Sequence, residues 1–399
     1  MNILILEPEI NGHFTSLYVR NVIKSFKKKK FNITILSTKK ILKHETLKIL
    51  KKENVPFTLE FMEELEYPEH KNLYSLIIFQ IKNYLKIKKK FKEILTNKKI
   101  DHVFITNLEH FDKILGLFGS PFQDVNYSGI LVNPKHHQTE YGFSKKNYRF
   151  LFLKYIFKFM VKDKKLKYIM INDYLFYEYV KKKLIKYKEK FLYFDEPAHL
   201  SKKINKITAK KNLNITQKSF VILVYGALRE SKCILELVEI VKKIEKKKNI
   251  KIILAGKQNY EIKKLLNKKS IKEMILSKEI IVYDYFISSD LESELFYAAD
   301  SVWVVYKNTP MGSSGVFYLS NLANIPIITN SEGLIGWYNK RYILGPIIDL
   351  NKYWQPSIQL ENLLLKKEYY KNFIRNQKNF RLKRLKKNIF HEILSKKLR

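Results

Sequence analysis

The stretch Ser301-Val302-Trp303-Val304-Val305-Tyr306 leads, after a short gap, into Met311-Gly312-Ser313-Ser314-Gly315. After Val316 to Asn324 comes Ile325-Pro326-Ile327-Ile328-Thr329. The two apolar runs read as buried strands, and the segment between them as a small-residue loop opening a short helix. Bare backbone N–H groups at a helix N-terminus are a phosphate-binding geometry. Strand, loop, helix and strand in this order specify an α/β unit with a parallel sheet.

The same pattern recurs on both sides. Upstream in the second half come strand Phe220 to Tyr225, helix Ile234 to Lys246 and strand Ile250 to Leu254. Helix Asn259 to Leu266, strand Ile280 to Tyr283 and helix Ser289 to Ala299 complete it. The first half alternates in the same way. Strands are expected at Asn2 to Glu7, Phe31 to Ser37, His102 to Thr106, Tyr127 to Val132, Tyr168 to Asn172 and Phe191 to Phe194, with a helix over Thr15 to Lys27. The run Ser201 to Gln217 is polar and rich in Lys and Asn, and reads as a break between two domains. The tail from Leu360 to Arg399 is helical, basic and without a strand, and is expected to pack back. The expected division is an N-terminal domain over 1–205, a C-terminal domain over 206–365 and a helical tail over 366–399. Ligands of such open sheets bind at the carboxyl ends of the strands.

Composition narrows the function. With 399 residues, 46% of them apolar, the chain can bury two cores of ordinary size. A single cysteine, Cys233, excludes an internal disulfide and a cysteine zinc cluster, and suits a reducing cytosol. Asn2 to Glu7 turns acidic too soon for a signal peptide, and no apolar run reaches the roughly 18–20 residues of a membrane span. The net charge of +38 points to an anionic partner or to compositional drift toward Lys, Ile and Asn. The lysines are spread along the whole chain, which argues against a dedicated nucleic-acid groove.

Two loops suit phosphate chemistry. Gly226-Ala227-Leu228-Arg229-Glu230-Ser231-Lys232 follows a strand, and its cations would neutralise charge on a leaving diphosphate. Alternatively it is an ordinary strand-to-helix loop with surface cations. Gly256 ends the next strand in the same manner.

From about Phe220 to Gly345 the chain resembles the second domain of GT-B glycosyltransferases. It is similar to the retaining group known as glycosyltransferase family 4, in a variant with a Ser-Ser-Gly loop. The resemblance implies two Rossmann-like domains facing across a cleft, the second holding a nucleotide-sugar donor. Arg229 and Lys232 would then face the diphosphate, and Gly226, Gly256, Gly312, Ser313, Ser314 and Gly315 would line its site. Two glutamates of the family pattern are replaced here by Met311 and Leu319, and its usual arginine by Ala227, with Arg229 as a substitute. In the first domain, Glu9-Ile10-Asn11-Gly12-His13 resembles the family's glycine-containing loop, so Gly12 and His13 are candidate donor contacts. His13 is equally readable as a helix cap or surface residue. His136 and His137, after the strand at Tyr127, resemble the active-site histidine that meets the donor sugar. On an extended chain only one of the two would point inward. Asp195-Glu196-Pro197 at the hinge reads as structural.

The implied activity is transfer of a sugar from a nucleotide-sugar to a glycan or lipid-linked acceptor, in cell-surface polysaccharide or lipopolysaccharide synthesis. The chain holds no Asp-x-Asp pair, which favours a metal-independent transferase with no cofactor. A non-catalytic binding or scaffold subunit is the alternative. A cytoplasmic protein is expected, peripheral on the inner face of the membrane. The anionic surface is suggested by Phe150 to Lys162, where Lys154, Lys158 and Lys162 form one helical stripe, and by basic runs at Lys27 to Lys30 and Lys86 to Lys92. A packed domain helix with snorkelling lysines is the other reading.

Overall fold

The computed structural model describes residues 1–8, 18–27, 31–65, 72–145, 148–244, 249–307, 312–352 and 354–384. They form two compact units that meet in sequence between Asp195 and Glu196. The first contains β1 (Asn2–Glu7), β2 (Asn32–Thr38), β3 (Thr58–Met62), β4 (His102–Ile105), β5 (Asn126–Leu131), β6 (Leu166–Ile171) and β7 (Phe191–Tyr193). These make one parallel sheet in the order β3-β2-β1-β4-β5-β6-β7. The second contains β8 (Phe220–Tyr225), β9 (Ile250–Ala255), β10 (Ile280–Tyr283), β11 (Ser301–Val304) and β12 (Ile327–Thr329), parallel in the order β10-β9-β8-β11-β12.

Both sheets are covered on two faces, which explains the unbroken apolar runs. Along β1, Leu4 and Leu6 enter one core with Phe91, Ile105 and Phe176, while Ile3 and Ile5 enter another with Val22, Phe26 and Ile35. In the second unit Ile222, Val224, Ile252 and Leu254 pack with Leu237, Val241, Leu360 and Phe373. The strand order reverses between β1 and β4 and again between β8 and β11. Helices diverge to opposite faces at such a reversal and leave an opening at the carboxyl edge.

Three elements differ from the sequence expectation. Edge strand β3 carries Glu60 at its centre and is mostly half-buried, so it lacks the apolar run of an inner strand. Glu60 there joins Lys98 at 2.8 Å and Lys90 at 3.6 Å. A helix of 25 residues, Leu73–Asn97, contains the Lys86 to Lys92 run, and it buries Phe79, Asn83, Ile87, Phe91 and Ile94 at helical spacing. The polar break contains the helix Lys206–Asn212, capped by the Asn205 side chain.

That short helix anchors the second unit. Lys210 is buried and donates to Ser219 O at 2.7 Å and to Asp300 Oδ2 at 2.9 Å. Asp300 also accepts from Val221 N–H, pairs with Lys206 at 2.6 Å, and offers its backbone carbonyl to Tyr370 OH. One carboxylate thus ties the hinge helix and the start of β8, and its backbone ties the tail helix Lys367–Arg384. The described part of the tail packs on the second unit through buried Phe373, Gln377 and Phe380.

Removing the carboxylate strands a buried ammonium. Asp300→Ala should lower the stability of the second unit by about 3 kcal/mol or more, and Lys210→Met by clearly less. Urea unfolding of both variants checks this; equal losses would refute the buried-pair account.

Candidate functional site

At the carboxyl edge of the second sheet, the β8–β11 reversal gathers most of the expected donor residues. Tyr225 ends β8 and Gly226 follows with φ +87°. Gly256, after β9, has φ +137°, and a Cβ there would lie 2.2 Å from Gly226 O. Only glycine permits that approach, so the ends of β8 and β9 run close together. The turn Glu230–Lys232 then folds back over the strand ends. Lys232 Nζ donates to Tyr225 O at 2.6 Å, lies 5.5 Å from the Tyr306 ring centroid, and sits 3.8 Å from where a Gly226 Cβ would be. The turn is pinned to β11 and to the segment that follows it: Trp303 Nε1 donates to Lys232 O at 2.7 Å, and Lys307 N–H to Ser231 O at 2.9 Å.

The small-residue loop closes the same edge. Ser314 precedes the helix Gly315–Ala323 and is buried, with its Oγ 3.4 Å from Tyr306 OH. Val316 Cγ2 stands 4.0 Å from the Gly226 Cβ position, which places the helix start beside the β8 turn. Lys232, Gly226, Tyr306 and Ser314 are therefore one cluster. Arg229 stands exposed at the turn, and Gly312 is buried ahead of the loop. Leu319 is buried within the helix, and Met311 lies outside the described residues.

Glu196 was read from the sequence as structural, yet its carboxylate sits at the loop. Ser313 Oγ donates to Glu196 Oε2 at 2.6 Å, and Glu196 Oε1 would be 3.3 Å from a Cβ on Gly315. An anion at the first turn of a helix is electrostatically favoured. A second pair also escaped the sequence reading: Tyr225 OH donates to Glu292 Oε1 at 2.6 Å, and burial raises the Glu292 carboxyl above its ordinary range. A proline and two small residues flag a loop; nothing in the sequence flags partners more than 60 residues apart.

The first sheet's carboxyl edge holds the other candidates. Both His136 and His137 are buried, contrary to the expectation that one faces out. The chain after β5 turns instead of extending, with Gln138 N–H bonded to Lys135 O and Glu140 N–H to His137 O, so neighbouring side chains need not alternate. His136 stacks on Phe157 with centroids 4.2 Å apart, and burial lowers its pKa to about 4, so it is neutral at physiological pH. His137 Nε2 lies 3.3 Å from Asp173 Oδ2, and its Nδ1 is buried with no hydrogen-bond partner among the described residues. Gly12 and His13 lie outside the described residues.

Acidic groups join them. Glu7 at the end of β1 is buried and accepts from Thr106 Oγ1 at 2.6 Å. Glu109, after β4, accepts from Asn133 N–H through Oε1. Glu109 as a residue is half-buried, but its Oε2 is sealed from solvent with no hydrogen-bond partner among the described residues, and burial pushes its carboxyl up to about 6. Cys233 is also buried, and burial pushes its thiol up to about 12, too high for a nucleophile. Among the described residues no three His, Cys, Asp or Glu side chains gather as they would around a metal ion. Among them too, no helix is long and apolar enough to cross a membrane.

The two parallel sheets define the GT-B class of fold, and solved structures match it over the whole chain. HepE of Anabaena, in complex with UDP and glucose, has a TM-score of 0.66 at 11% identity, over 100% of this chain and 98% of that one. WaaG, a glycosyltransferase involved in lipopolysaccharide biosynthesis, gives 0.67 at 11% identity, over 99% and 98%. A glycosyltransferase from Rickettsia africae gives 0.64 at 14% identity, over 100% and 98%. No family model and no curated protein matches the sequence.

Glu109 yields a pH test. Its folded-state pKa is raised, so the folded state holds the proton more tightly than the unfolded chain. The stability it contributes is present below the ordinary glutamate range and is lost as pH rises through about 6. Glu109→Gln keeps an acceptor for Asn133 and should flatten this fall, gaining about 2 kcal/mol at neutral pH relative to acid pH. Urea titrations of both proteins at the two pH values measure it; parallel curves would refute a sealed carboxylate.

Proposed function

We propose that this chain is a glycosyltransferase that moves a sugar from a nucleotide-sugar donor to a glycan or lipid-linked acceptor in cell-surface polysaccharide or lipopolysaccharide synthesis. The observation that carries the reading is the cluster of Lys232, Gly226, Ser314 and the Gly315 helix start at the β8–β11 reversal. A cation beside a helix N-terminus, whose first N–H groups have no intrahelical acceptor, suits a leaving diphosphate. HepE, which shares the fold, is found with UDP and with UDP-glucose, so a uridine nucleotide is the first donor to test. The finer reading is a retaining, metal-independent enzyme of family 4 with the Ser-Ser-Gly loop, working at the inner face of a membrane.

In the reaction, negative charge grows on the departing diphosphate. Lys232, now held by the Tyr225 carbonyl, would neutralise it, and the loop N–H groups and Ser314 would fix its position. His136, neutral and stacked, suits a hydrogen bond to a sugar hydroxyl better than a proton transfer near neutral pH.

Glu196 favours a second reading. Its carboxylate already occupies the loop, and the family glutamates are absent at Met311 and Leu319, as a non-catalytic scaffold subunit would allow.

Release of nucleoside diphosphate from sugar nucleotides in the presence of acceptor tests the first reading. Lys232→Ala should slow it about a hundredfold, and Ser314→Leu should abolish it. Unchanged turnover in both would remove the phosphate assignment. In calorimetry Glu196→Gln should tighten nucleoside diphosphate binding roughly fivefold, on the scale of one screened like-charge contact. A wild-type protein that binds no nucleotide, with Glu196→Gln equally inert, would favour the scaffold.

A further inference from the structure

The helix Tyr148–Lys162 has an apolar face that no other described residue covers. Tyr148, Leu151, Phe152, Tyr155 and Phe159 are between 45% and 91% exposed. Their spacing of three and four residues sets them on one stripe. The opposite face is buried: Ile156, Phe157, Met160 and Val161 enter the core. The sequence suggested that Lys154, Lys158 and Lys162 are the surface stripe. Lys154 instead turns inward, 3.4 Å from Glu140 and 5.0 Å from the Tyr179 ring centroid, leaving Lys158 and Lys162 exposed at the edge of the aromatic row. The row is ordered, with Tyr155 edge-on to Phe159 at 5.0 Å and Lys162 5.2 Å from the Phe159 ring.

Neighbouring helices of the same unit extend the patch. A Cβ at Gly116 would lie 2.3 Å from Ile156 O, so the helix Asp112–Phe118 presses directly on this one. It brings exposed Leu117 and Phe118, and Phe118 packs against Tyr84 of the helix Leu73–Asn97. That third helix exposes Leu85 together with Lys82, Lys88, Lys89 and Lys92. An apolar patch of this breadth is unusual on a surface with no partner.

Charge identifies the occupant. The helix Tyr148–Lys162 has no acidic residue among its 15, and Arg149, Lys158 and Lys162 rim the stripe. A second copy would bring the same positive rim and repel. Tyr, Phe and Leu beside Lys and Arg is the composition of helices that lie in the headgroup plane of an anionic bilayer. We infer that this face docks the first unit onto an anionic lipid surface, the rings entering the interface and the lysines meeting the headgroups. The inference sharpens the membrane-face part of the proposed function but rests on this helix and its neighbours, independently of the sugar-nucleotide cluster.

The experiment is vesicle flotation of the full chain with phosphatidylglycerol or phosphatidylcholine vesicles, at about 0.15 M salt. The wild type should float with the anionic vesicles only. Phe152→Ser, Tyr155→Ser and Phe159→Ser combined should weaken that partitioning at least about tenfold. Lys158→Glu with Lys162→Glu keeps the rings and should also lose it. All five positions are exposed, so the melting temperatures should match the wild type, and nucleoside diphosphate release with a water-soluble acceptor should persist. A wild type that floats with neither vesicle, or a triple variant that floats as well as the wild type, overturns the proposal. So does a wild-type dimer that the triple variant converts to monomer, which would give the face to a second copy. None of these results bears on Lys232, so failure here and failure of the transferase reading are separable.

Discussion

A parallel sheet buried on both faces leaves only its strand ends for chemistry. Each strand of β1, β4, β8 and β9 spends its side chains on the two flanking cores. Polar and reactive groups are thereby forced to the carboxyl edge, where the chain must turn into a helix. Where the strand order reverses, flanking helices cannot close the edge. Glu7, Thr106 and Glu109 collect at one reversal and Gly226, Lys232 and Ser314 at the other. The placement of these residues follows from this one constraint on sheet burial.

The same constraint decides what the sequence can show. Inner strands were legible because burial on both faces demands continuous Ile, Leu and Val. Edge strand β3 was not, since Glu60 at its centre serves Lys98 and Lys90 on the neighbouring surface. The helix Leu73–Asn97 hid behind its lysines, whose exposed side masks a buried stripe at helical spacing. The Gly-Ser-Ser-Gly stretch was legible as a loop because small residues between two strand patterns punctuate the chain; the paired histidines were misread because a turn, not an extended chain, follows β5. Partners distant in the chain, such as Glu196 with Ser313 and Tyr225 with Glu292, leave no local pattern at all.

Charge imposes a second economy. The chain carries 76 Lys and Arg against 38 Asp and Glu, two bases for each acid. Carboxylates are accordingly shared: Glu53 meets Arg20 and Lys24, Glu60 meets Lys98 and Lys90, and Asp300 meets Lys206 and Lys210. A lost acid here strands two cations, whereas most lost lysines strand nothing. The surplus lysines lie on the surface, where they give a diffuse positive field. That field sets no specificity by itself. It acquires a direction only where it borders apolar surface, as along the helix Tyr148–Lys162.

The Gly-Ser-Ser-Gly loop shows how a helix end can meet a counter-charge from a distant part of the chain. The first turn of the helix Gly315–Ala323 presents N–H groups with no intrahelical acceptor, and Ser314 makes no side-chain cap to them. Such an end favours an anion. Met311 and Leu319 supply none, and Leu319 is buried. The negative charge at the loop comes instead from Glu196, which is 117 residues away in sequence, beside the division between the two units. A carboxylate there meets the same physical demand as one within the loop. What the helix end favours is a charge in space, whichever residue of the chain supplies it.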